Sequence, residues 1–129
     1  MVKVLTLILF LLMIPAADLL AEGKTFVYDA TGTGAVDVNH SGGPYGRKLK
    51  ELRFHLSGAA TTSESFTLSI DSGSGTAYDV LILSEDMQGE TDIFYIPGNP
   101  IPLTSAVDAF SVQYTNTDSL TWGLQLIFE

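Results

Sequence analysis

An all-β sandwich is the fold that the sequence predicts, and three observations carry it. After Glu22 the chain runs in short stretches where apolar and polar residues alternate, those stretches are divided by Gly, Ser, Asn, Asp and Pro, and no stretch among them requires a helix of useful length. About eight strands in two packed sheets, jelly-roll-like, follow from that count. With 129 residues in all, residues 22–129 form one small domain with one core, preceded by a hydrophobic N-terminal leader.

The leader spans residues 1–21. Lys3 supplies a short positive start, Val4 to Ile14 is apolar apart from Thr6, Pro15 breaks the run, and Ala21 is a small residue suited to cleavage. The apolar run is shorter than the roughly 20 residues of a relaxed bilayer span. Two fates stay open: a cleaved signal peptide, which makes the domain exported or extracellular, or a retained hydrophobic arm, which would be the chain's only membrane contact.

The strands then follow in order. Lys24 to Tyr28 and Ala35 to Val38 read as the first two, divided by a turn at Gly32-Thr33-Gly34. Asn39 to Gly46 is a polar, Gly-rich loop that holds His40, Pro44 and Tyr45. In Leu49 to Leu56, Leu52, Phe54 and Leu56 share one face while Arg53 and His55 share the other, the period of two expected of a half-buried strand. Phe66, Leu68 and Ile70 alternate with Thr67 and Ser69, and Asp71 to Gly75 has the chemistry of a hairpin turn. Tyr78 to Leu83 is nearly continuous apolar sequence, as in a strand buried on both faces. Ile93 to Ile96 is stopped by Pro97, and Pro97, Pro100 and Pro102 keep the next segment from acting as a regular central strand. Phe110, Val112 and Tyr114 alternate, as do Trp122, Leu124, Leu126 and Phe128, and these two strands should line the core.

Composition narrows the function. Cysteine is absent, which removes disulfides, thiolate catalysis and cysteine-ligated zinc together. A domain of this size without staples gains from assembly, so homo-oligomers or other structural proteins are the expected partners. The net charge of −9 disfavours nucleic acid, whose binding rests on Lys and Arg. Arg47, Lys48, Lys50 and Arg53 form one basic cluster, whereas no Lys or Arg occurs from Asp71 to Glu129. The cluster is either an ordinary solvated face or an assembly contact that docks on the acidic half of a neighbouring copy.

Catalytic sets are sparse. Only His40 and His55 offer imidazoles, and no Ser stands in a nucleophile-elbow pattern. Asp71 to Gly75 lacks the Lys and the helix start that phosphate cradling needs. Glu85, Asp86, Glu90 and Asp92 supply oxygen for calcium but not the spacing of a compact calcium loop. No enzyme, cofactor or metal site is expected. Tyr45 is the best surface candidate for ligand contact, whereas Tyr114 and Trp122 belong with the core.

The second half also carries an ordered set of short motifs: the strand entry Ala77-Tyr78-Asp79, the segment Pro97, Pro100, Pro102, and a closing strand with Asn116, Thr121, Gly123 and Leu124. In this order they resemble a group of small β-sandwich proteins encoded in tailed-phage and prophage genomes. Ala106-Val107-Asp108 departs from the Gly-Asp turn of that group, and the leader departs too, because virions assemble in the cytoplasm. The resemblance implies a non-enzymatic structural protein, such as a decoration, fibre or tail component on a virion surface, or a filament-forming subunit. The alternative is a secreted or surface-bound β-sandwich that binds carbohydrate or another ligand. An exposed aromatic cluster with a polar rim would mark the binder, and an extended contact between subunits would mark the structural protein.

Overall fold

The computed structural model describes residues 24–41 and 46–129, so the leader and Tyr45 lie outside the described residues. Nine strands follow in chain order: β1 (Phe26–Gly32), β2 (Val36–His40), β3 (Lys48–Leu56), β4 (Ser65–Asp71), β5 (Val80–Asp86), β6 (Asp92–Tyr95), β7 (Ile101–Pro102), β8 (Ala109–Tyr114) and β9 (Trp122–Phe128). They form two antiparallel sheets. Sheet A has the order β1-β9-β3-β6, with the two-residue β7 also on β3, and sheet B has the order β2-β8-β4-β5. The chain passes repeatedly from one sheet to the other, which is the winding of a jelly roll, as the sequence predicts.

Alternation decides which residues meet between the sheets. Leu52, Phe54 and Leu56 of β3, Leu124, Leu126 and Phe128 of β9, Phe66 and Leu68 of β4, and Phe110, Val112 and Tyr114 of β8 are buried in one cluster. Phe54 packs against Phe66, Tyr114 and Trp122, so one ring ties the two sheets together. Each fully buried Phe or Leu contributes roughly 1.5–3 kcal/mol relative to an exposed one. β9 is paired on both sides, by β1 and by β3, so the apolar closing segment presents no open edge.

Three expectations are corrected. The segment Tyr78 to Leu83 is not a strand buried on both faces: Thr76–Tyr78 forms a 3-10 turn, and β5 is the outer strand of sheet B. Its register against β4 slips between Leu68 and Ser69, which leaves Ile82 as an extra residue and turns Leu81 outward. His40 is not in a loop but ends β2, where its ring stacks on Tyr28 at 4.4 Å and on Phe128 at 5.1 Å. Finally, β1 and β2 each run further than the apolar residues suggest, because backbone pairing to Trp122 and to Phe110 continues past them.

Candidate functional site

The outer face of sheet A carries a trough of about 620 Å³, within the usual range for small-molecule sites. Strand register builds it from two rows. One row crosses Thr31 of β1, Gly123 of β9, His55 of β3 and Asp92 of β6; the next crosses Asp29, Gln125, Arg53 and Phe94. All eight line the trough. Inward neighbours such as Phe54 and Leu124 fix each strand through the core, so the outward side chains stand on a rigid floor.

Gly123 makes the depression. A Cβ there would meet nothing within 4 Å, so the missing side chain is open space at the centre of a row flanked by larger residues. Glycine weakens a strand interior and marks a place where something approaches the backbone closely. Two strands away and one row along, Phe94 is 64% exposed on the edge strand β6 and offers an aromatic face at the other side of the trough. The Arg53 guanidinium lies 5.9 Å from the centre of that ring, and its Nε donates to Glu51.

The polar groups hold one another in place. His55 Nδ1 and Asp92 Oδ1 are 2.6 Å apart, and Thr91 Oγ1 donates to Asp92 Oδ2 at 2.6 Å. Those bonds, from Thr91 first and then from His55, hold the Asp92 carboxyl below the usual carboxylate range. Gln125 Nε2 donates to Asp29 Oδ1 at 2.8 Å. The trough thus offers carboxylate acceptors, amide and guanidinium donors, one imidazole and one apolar ring. A histidine and a carboxylate make two members of a hydrolytic triad. Thr31, the hydroxyl-bearing residue of the lining, sits two strands from His55 with Gly123 between them. That separation is about 9–10 Å at the usual strand spacing.

The basic cluster is divided by the fold. Arg53 joins the trough, Lys48 and Lys50 are exposed further along β3, and Arg47 lies with its guanidinium 3.3 Å from the centre of the Phe26 ring and its Nε buried. His40 serves packing, and its burial, with the nearby Arg47 charge, pushes its pKa below the ordinary histidine value. Glu85, Asp86, Glu90 and Asp92 line one depression between β5 and β6, where Asp86 accepts from Ser63 and Gln88, but among the described residues no group of three His, Asp or Glu side chains is placed to hold a metal ion. Sequence reasoning missed Asp29, Asp92, Phe94, Gly123 and Gln125 as a set. Two signals for it were present: the lone glycine inside an apolar-alternating strand, and Phe94 in the outward phase between Ile93 and Tyr95.

No family model and no curated protein matches the chain. Among solved structures it is similar to PirA, with a TM-score of 0.45 and 12% identity over 85% of this chain and 99% of that one. It is also similar to the mitogen derived from Yersinia pseudotuberculosis, with a TM-score of 0.42 and 18% identity over 81% of this chain and 84% of that one.

Proposed function

We propose that this protein is a non-enzymatic β-sandwich binding module whose trough on sheet A holds a neutral carbohydrate. The observation that carries the reading is a single trough that holds an exposed aromatic face, Phe94, a glycine gap two strands away at Gly123, and between and around them a rim of preoriented hydrogen-bonding groups. A sugar ring has an apolar face to lay on an aromatic and hydroxyls around its edge that both donate and accept. Asp29 and Asp92 accept, Arg53 and Gln125 donate, and His55 does either. An anionic ligand suits the site less well, because two carboxylates line it beside one Arg and the whole chain carries −9. An exported location, as the leader implies, would suit such a binder.

The test is retention on immobilised neutral polysaccharides, a glucan, a mannan and a galactan, with Phe94→Ala and His55→Ala beside the unaltered chain. Retention on at least one matrix, lost in both variants while they stay folded, is the expected result. An unaltered chain that none of the three retards, or variants retained as well as it is, would refute the reading. The structural-subunit reading drawn from the phage resemblance is favoured by a different feature, the exposed apolar edge of β5.

A further inference from the structure

The two features that mark the trough lie too far apart for one sugar ring. Gly123 sits on β9 and Phe94 on β6, with β3 between them, and Phe94 is one row further along. The two strand spacings alone separate them by about 9–10 Å. A ring laid on the Phe94 face therefore cannot also fill the open space above Gly123. Nor can the floor contract to bring the two together, because Phe54 and Leu124 beneath it are locked into the core. The hydrogen-bonding groups are spread in the same way. Asp29, which accepts from Gln125, stands on β1, and Asp92, held by His55 and Thr91, stands on β6. From β1 to β6 the lining spans three strand spacings, roughly 14 Å, the length of about three sugar units in an extended chain.

The ends of the trough decide what kind of chain fits. Every lining residue belongs to β1, β9, β3 or β6, and β1 and β6 are the outer strands of sheet A. Among the described residues no loop and no strand of sheet B contributes to the lining, so the trough runs out over a sheet rim on both sides. A site for a single sugar or for a chain end needs a wall around the ligand, since small-molecule pockets enclose most of what they bind. We infer that the trough binds an internal stretch of about three units of a neutral polysaccharide, laid across the strands from Asp29 of β1 to Phe94 of β6, with the polymer entering over one rim and leaving over the other. Each unit alone meets only part of the lining. Once one unit is seated, the next two bind at the high effective concentration that their linkage sets, so affinity grows with length until the lining is used up. The inference rests on the sugar reading of the trough and adds to it the length of the ligand and the direction in which it lies.

Calorimetric titration with oligosaccharides of one to six units, cut from whichever neutral polysaccharide retains the protein, tests it. The trisaccharide should bind at least about tenfold tighter than the monosaccharide, with little gain beyond four units. On the soluble polymer the number of protein molecules bound per chain should rise with chain length. Asp29 and Phe94 are both exposed, so Asp29→Ala and Phe94→Ala should leave the fold intact by circular dichroism, and each should weaken the trisaccharide by at least about threefold although they stand at opposite rims. A monosaccharide that binds as tightly as the trisaccharide overturns the inference and leaves the sugar reading standing. So does an affinity still climbing at six units, a fixed one or two molecules per polymer whatever its length, or a trisaccharide indifferent to Asp29→Ala. A protein that no polysaccharide retains loses the sugar reading itself, and this inference with it.

Discussion

Gly32 and Trp122 face each other across the β1–β9 ladder so closely that a Cβ on Gly32 would lie 2.8 Å from the indole Cζ2. The indole is only 7% exposed, and its Nε1 donates to the Gly34 carbonyl at 2.8 Å. The turn after β1 is thus locked to the start of β9 through one side chain. Trp122→Ala should cost about 3–5 kcal/mol, as large-to-small aromatic changes in cores do. Gly32→Ala should also destabilise, because the ring is held by its hydrogen bond and has little room to yield. Urea unfolding of both variants checks this, and an unchanged midpoint for Gly32→Ala would place the indole elsewhere.

Asn116 closes the same end of the sandwich. It is buried, sits at φ 55°, donates through Nδ2 to the carbonyls of Thr33, Gly34 and Leu120, and accepts from the Leu120 amide. Asn tolerates left-handed backbone better than other residues with a side chain. Asn116→Ala leaves those backbone groups without their partner and keeps the strained φ, so a loss of about 2–3 kcal/mol is expected. Asn116→Gly should lose less, since it relieves the backbone, and chemical denaturation of the pair separates the two contributions.

Acid should unfold the protein partly through Asp118. Its carboxylate accepts from the backbone amides and hydroxyls of both Thr61 and Thr62, which holds its pKa at about 2 against an ordinary 3.8. A depressed carboxyl contributes stability that is complete above the unfolded value and lost as pH falls from about 3.8 towards 2. His40, depressed by burial, acts in the same sense at higher pH: the unfolded chain takes up the proton first, so stability declines as pH drops below 6.5 and levels off below the folded value. Thermal midpoints across this range should show both declines. Asp118→Asn should flatten the lower one and leave the upper one in place.

Tyr114 gives a contrary case. Its ring packs edge-on against Phe54, but among the described residues its buried hydroxyl has no hydrogen-bond partner. Burial, with the Glu64, Asp118 and Asp86 carboxylates, pushes the phenol above its ordinary pKa. Tyr114→Phe keeps the packing and removes an unsatisfied group, so stability should hold within about 1 kcal/mol or rise. A loss of several kcal/mol in denaturant titration would show that the hydroxyl is bonded in solution.

The jelly roll was legible because burial imposes a period of two wherever a strand has one wet face, as in Leu52, Phe54 and Leu56. The position of β5 was not, since a continuous apolar run looks the same in a central strand and in an outer one. The motif residues that carried the resemblance serve turns and packing in this fold: Asn116 binds the β1–β2 turn, and Asp79 Oδ1 accepts from the Ser72 amide. The trough was hidden for a different reason. Its residues come from four strands far apart in the chain, and only register sets Asp29, Gln125, Arg53 and Phe94 in one row. The basic cluster misled in part, because contiguity in sequence did not keep Arg47 on the same surface as Arg53.

Gly123→Val bears most directly on the trough. The new side chain enters open space, and valine suits a strand better than glycine, so the thermal midpoint should hold or rise. The same side chain fills the floor on which a sugar ring would lie, so retention on the neutral polysaccharide that holds the unaltered protein should be lost. Higher stability with lost retention is the expected result. Gly123→Val that is retained as strongly as the unaltered chain would contradict it.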